Sequence, residues 1–394
     1  MTRPGWLPLL LLPPLLAGCA FFKSLAGRNT VDLEGAEVKS MGVDIRKEEK
    51  TLCPRERVQL AVFMEAKLAG EEGFASYETW SGRESRNGRL DFDAFAFDAS
   101  TGSVDQEGFL DLPHDLLRTI SDEVVIRTVY RARPEAFNFT TRYKPDYRCI
   151  EQGGRSGRPG SSGAPGAAGE RGATGEGGDE TRAGGPGGQG SAGTAGGHGE
   201  AGEAGPSLRV VATRVQTAFY DDLIAVRIEG DVQDLLLLHP EQVVTLLARG
   251  GDGGAGGPGG DGGDGGNGGA GNPGGAGGSS GPGGPGGNGG PGGAGGTVEL
   301  VLDPSFPDLA AHVAVVVDGG RGGAAGFGGQ AGRAGFGGSG RGTGAATGAS
   351  GSRGANGPAG NAGLDGAPGV LREQMGDPRP SFEGLSGLTV KEAS

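Results

Sequence analysis

Three thiols, four imidazoles and scattered carboxylates are the side chains here that could carry chemistry. Cys19 follows the small residues Ala17 and Gly18 at the end of an apolar run, a place where a leader is cleaved during export. That leaves Cys53 and Cys149 as an even pair, which an oxidising compartment would join. The bond would close a loop of about a hundred residues, stabilising the fold by ~4–5 kcal/mol in the chain-entropy model. His114, His198, His239 and His312 stand in four different contexts, without His-x-x-x-His spacing or a Cys/His cluster, so no metal site is expected. No Gly-Lys-Ser/Thr phosphate loop occurs, and no G-x-S-x-G elbow precedes a helix. In DFDAFAFDAS, Asp91, Asp93 and Asp98 read as the solvated face of a strand rather than an acid/base pair. The expectation is a protein that is not an enzyme and takes no cofactor.

The chain opens MTRPGWLPLLLLPPLLAGCAFF, with Arg3 ahead of an apolar stretch too short and too rich in proline to span a bilayer. Residues 1–18 read as a signal peptide. Leu16-Ala17-Gly18-Cys19 resembles the lipobox of bacterial lipoproteins. The resemblance implies that Cys19 is acylated on sulfur, cleaved on its N-terminal side and acylated again on its new amine. Several acyl chains exceed the two-signal threshold for stable anchoring, so the membrane is an expected partner. Ala20 stands where this family's inner-membrane retention signal has aspartate, which implies an exported protein of the outer membrane or cell surface.

Gly256 to Asp264 (GGPGGDGGD) matches six places of the calcium-binding nonapeptide, but Gly263 occupies the place that needs an apolar side chain. Calcium is not expected there. A net charge of −13 argues against a nucleic-acid partner.

The elements that hold these residues are set by glycine. Of 89 glycines, 22 lie in 153–205, 30 in 250–296 and 22 in 319–369. From Gly154 to Gly205 every third residue is glycine except Thr181. This first tract resembles collagen and bacterial collagen-like proteins. In the second tract two registers run together, Gly250 to Gly295 failing only at Ser280 and Gly251 to Gly296 failing only at Asn272. It resembles mycobacterial glycine-rich repeats and the polyglycine-II bundles of snow-flea antifreeze proteins. The third tract keeps its period over 320–338 and 348–369, and shifts phase between them.

A period of three means a left-handed extended helix of the polyproline-II family. One glycine per turn leaves one edge bare. Two leave two edges bare, so backbones can meet and exchange N–H for C=O, offsetting the entropy of ordered glycine. A polyglycine-II bundle within one monomer, a homotrimeric triple helix and plain disorder all fit this composition. The breaks at Thr181, at Asn272-Pro273 with Ser279-Ser280, and at 339–347 lie beside the three midpoints, which favours tracts that go out and come back. Folding there sets Arg158 opposite Glu203 and Arg321 opposite Asp365, while Arg333 lands near Arg353.

Strands are expected at 58–65, 90–97 and 124–130, and again at 208–215, 223–229, 243–249, 298–302 and 312–317, with 370–372 as a further edge. Residues 232–242 fit a buried strand or one helical turn. Tyr147-Arg148-Cys149 resembles the Tyr-x-Cys of immunoglobulin-type tyrosine corners, although no strand is expected after Cys149 before the glycine begins. The fold class is mainly β with extended glycine-rich tracts. A lipidated tether (19–35) leads to a disulfide-closed β-sandwich (36–150). A small β body (207–249, 297–318 and a tail 370–394) is then interrupted by tracts at 151–206, 250–296 and 319–369.

The expected role is structural, spacing or adhesive, in a lipid-anchored protein of the bacterial envelope. Asp261, Asp264, Asn267 and Asn288 would be presented to extracellular matrix, another cell surface or a phage by polyvalent weak contact. The rival reading is a ligand-binding lipoprotein whose N-terminal domain holds a sugar or peptide, with the tracts as spacers.

Overall fold

The computed structural model describes residues 30–45, 50–79 and 89–392. Cys19 and residues 1–18, the expected signal peptide, lie outside them. The chain divides into two compact units, Met1–Cys149 and Ile150–Ser394.

Described strands of the first unit are β1 (Glu37–Ile45), β2 (Thr51–Leu52), β3 (Arg57–Lys67), β4 (Ala75–Glu78), β5 (Phe95–Ala99), β6 (Ser103–Val104), β7 (Phe109–Asp111), β8 (Val124–Tyr130) and β9 (Asn138–Pro145). One sheet runs β1-β3-β7-β6 with β4 on β3, and the other β2-β9-β8-β5. Alternate side chains of both turn inward, among them Val43, Leu60, Val62, Phe95, Ile126 and Tyr143, and form one apolar core. This is a β-sandwich. Val31 and Leu33 pack against the same core. Cys53 and Cys149 form a disulfide, their Cα atoms 6.1 Å apart.

The strand expected over 90–97 begins later, at Phe95. Asp91 accepts the Asp93 N–H on its side chain at 3.1 Å and turns Phe92–Ala94 into a 3-10 helix. Alternation in LDFDAFAF was therefore partly a capping pattern.

The second unit contains β10 (Gln152–Gly154), β11 (Ser207–Thr217), β12 (Leu223–Gly230), β13 (Asp234–Leu238), β14 (Val244–Leu247), β15 (Thr297–Leu302), β16 (Val313–Val316), β17 (Val370–Met375) and β18 (Leu388–Val390). Residues 232–242 thus hold a strand, β13. A strand also follows Cys149 after all. β10 escaped notice because its Gly153 packs by being bare: an added Cβ would collide with Leu236 and Ile228.

Two sets of parallel strands frame the glycine tracts. β10, β14 and β16 pair in parallel, Gln152 with Thr245 and Thr245 with Ala314. β11, β15 and β17 pair in parallel, Ser207 with Thr297 and Thr297 with Val370. The first set leads into the tracts and the second receives them. Each tract is a hairpin, giving six threads in chain order: 155–178, 183–206, 249–271, 274–296, 318–340 and 346–369. The turns fall at 179–182, at Asn272-Pro273 and at 341–345. The last uses Gly342 (φ +92°) and Gly344 (φ +81°), conformations that a residue with Cβ rarely adopts.

Candidate functional site

The six threads form a lattice held by their own backbones. Parallel neighbours bond once per turn: Gly157 N–H donates to Arg249 at 2.8 Å and Gly250 N–H to Asp318 at 2.9 Å, each series repeating every three residues. Threads 1, 3 and 5 thereby form an outgoing layer. Threads 2, 4 and 6 form a returning layer in the same way, from Gly184 to Pro273 at 3.0 Å and from Gly274 to Ala346 at 2.9 Å. Antiparallel bonds lock the layers, for example Gly263 N–H to Ser191 and Gly281 N–H to Gly263, at 2.8 and 2.9 Å.

Glycine content follows the number of neighbours. Threads 3 and 4 each bond to four others, so two of their three edges must be bare, and they are Gly-Gly-X. Threads 1 and 6 each bond to two and spend one glycine per turn. A Cβ on Gly263 would overlap the Glu170 carbonyl, and one on Gly320 the Gly251 carbonyl. Ser280 is the exception inside thread 4. It is buried, and its hydroxyl accepts the Gly354 N–H at 3.0 Å.

The third residue of each turn faces outward, and its amide points along the face instead of into a backbone partner. Proline, which has no amide to satisfy, fills many of these places, as at Pro159, Pro258, Pro282, Pro285 and Pro291. Elsewhere a neighbouring side chain accepts the bond. On the outgoing face Asp252 takes the Arg321 N–H (2.8 Å), Asp261 that of Gln330 (2.7 Å), Asp264 that of Arg333 (2.7 Å) and Asn267 that of Phe336 (3.0 Å). On the returning face Asn288 takes the Asn361 N–H at 2.8 Å, and His198 Nδ1 accepts the Asn288 N–H at 2.9 Å. The four residues singled out for surface contact are therefore ties between threads, with Asp261 and Asn288 also exposed.

The outer edges are closed similarly. Ser191 and Thr194 hydroxyls accept the Glu170 and Ala167 amides of thread 1, both at 2.6 Å. Glu203 accepts the Arg158 N–H at 3.0 Å, and its carboxyl is held below its ordinary value by that bond first and by Arg155 after it. Asp365 takes the Gly322 N–H at 2.7 Å. The expected juxtapositions of Arg158 with Glu203 and Arg321 with Asp365 thus exist in register. The carboxylates bond to backbone amides there, Glu203 to that of Arg158 and Asp365 to that of Gly322.

Three turns meet at the far end. Asn272 Nδ2 donates to the Glu180 carbonyl at 2.9 Å, and Asp179 caps Thr181 N–H at 2.8 Å. Hydrogen bonds from Thr181, side chain first and backbone second, keep the Asp179 carboxyl low. Sequence reasoning passed over Phe327 and Phe336, which stand 81% and 73% exposed on the outgoing face. Their spacing of nine residues, three turns of thread 5, was the signal that places both on one face.

Among the described residues no three His, Cys, Asp or Glu side chains gather as a metal-binding group, and no helix is long and apolar enough to cross a membrane. Compared with protein-family models, curated proteins and solved structures, the chain matches none.

Proposed function

We propose that this chain is a lipid-anchored protein of the bacterial cell envelope whose glycine lattice acts as a stiff spacer and adhesive platform. The observation that carries the reading is the continuity of strand and thread: β11, β15 and β17 begin where threads 2, 4 and 6 end, with the parallel register kept from Gly296 into Val370. An arm of about 24 residues per thread is then roughly 75 Å long and lacks a flexible joint at its root. A rigid arm holds its outward residues at fixed spacing, so weak contacts by Asp261, Phe327 and Phe336 on the outgoing face act together. Matrix, another cell surface or a phage would be the partner, and lipid on Cys19 the anchor.

The test has two arms. Metabolic labelling with a fatty-acid probe should mark the wild type and not Cys19→Ala. Cells carrying the full chain should adhere to a collagen- or polysaccharide-coated surface more strongly than cells carrying residues 1–150 alone. Equal adhesion, together with sugar or peptide binding retained by 1–150, would support the ligand-binding rival and remove the lattice from the function.

A further inference from the structure

We propose that the returning face of the lattice, formed by threads 2, 4 and 6, is the interface of a two-fold dimer of this chain. Every third residue of 183–204, 276–294 and 346–367 faces outward on this layer, 23 positions in all, and none carries a carboxylate, an ammonium or a guanidinium. Alanine, proline and Leu364 make up 17 of them, and Leu364 is 80% exposed. The equivalent positions of the outgoing layer (156–177, 249–270 and 318–339) carry eight charged residues, among them Asp252, Asp261, Asp264, Arg321 and Arg333. Charge is thus sorted by face, although the same tracts build both.

Area and charge both point to a second copy as occupant. Three threads about 5 Å apart and about 75 Å long present roughly 1,000 Å², above the ~800 Å² per partner of a standard stable interface. Monomeric proteins rarely expose apolar patches beyond a few hundred Å². A two-fold axis sets a face against itself, which a neutral surface tolerates and a charged one resists without a complementary partner. Sideways growth of the lattice is blocked by the side chains of Ser191, Thr194, Glu203, Asn356 and Asp365, which already occupy amides along its edges. Faces remain the route for association. Pairing through the returning layer leaves Phe327, Phe336 and the charged residues outward on both copies.

Sedimentation velocity on the lipid-free full chain tests this. The wild type should sediment as two chains at concentrations up to about 100 µM. Ala195→Arg with Pro285→Arg should convert it to one chain while circular dichroism and amide protection stay unchanged. Ala255→Arg, on the outgoing face, should leave two chains. A wild type that sediments as one chain throughout overturns the proposal, and so does equal dissociation by Ala255→Arg.

Discussion

The amide of Gly354 donates to the hydroxyl of Ser280 at 3.0 Å, whereas the other glycine amides of its register in thread 6 donate to carbonyls, those of thread 5 and of Val317 at its root. Ser280 stands where the rest of its register in thread 4 is glycine, and its side chain enters the space between threads 5 and 6. Nearby, the Gly332 N–H reaches the Gly281 carbonyl at 3.1 Å, against 2.8–2.9 Å for its neighbours in that series. One methylene spreads the lattice, and the hydroxyl on it restores the bond it displaces.

Ser280→Ala should therefore keep the spreading and lose the acceptor, at about 1–3 kcal/mol for an amide left unsatisfied. Ser280→Gly should let Gly354 bond to Gly332 and hold or raise stability. Denaturant unfolding of the full chain checks both; an alanine variant as stable as the wild type would contradict the local account.

Interior and exposed glycines should respond in opposite directions. Gly177 has open space around an added Cβ, so Gly177→Ala should stabilise by about 0.4–1 kcal/mol through the unfolded chain. Gly263→Ala drives Cβ into the Glu170 carbonyl and should cost about 3 kcal/mol or more. Thermal unfolding midpoints of the two variants should bracket the wild type.

Asp261 and Asp264 test the side-chain ties. Either aspartate to alanine should lower stability by about 0.5–1.5 kcal/mol and speed exchange at Gln330 or Arg333 N–H respectively, while asparagine at the same place keeps the acceptor and the protection. Amide exchange read at those two positions separates a tie from a surface ornament.

Glu203 gives the lattice an acid-side dependence. Its folded-state value lies below the ordinary 4.5 because the Arg158 N–H and Arg155 favour the ionised form. Stability from this group is thus complete above the ordinary value and is lost as pH falls through the folded one. Glu203→Gln should flatten that part of the stability–pH curve, measured by unfolding from neutral pH downward.

Reducing the Cys53–Cys149 bond frees a 96-residue separation and should lower the unfolding transition of the first unit by ~4–5 kcal/mol. Calorimetry with and without reductant should show that transition move while the lattice transition stays.

Glycine spacing made the lattice legible. Two bare edges per turn in 250–296 marked the central threads, and the breaks at Thr181, Asn272-Pro273 and 339–347 marked the turns. Ser279-Ser280 carried the same turn chemistry yet lies within a thread, since its partners Ser352 and Gly354 are more than seventy residues away. The neutral returning face was invisible for a similar reason: each of three tracts supplies one column of it. Within the sandwich, DFDAFAF hid a capped 3-10 turn because Asp91 serves both patterns.

Residue-resolved hydrogen exchange across 250–296 of the purified chain tests the lattice most directly. Two glycine amides of every turn, such as Gly262 and Gly263, should exchange orders of magnitude more slowly than in a free chain. Uptake at free-chain rates along the whole tract would mean that the threads do not hold one another.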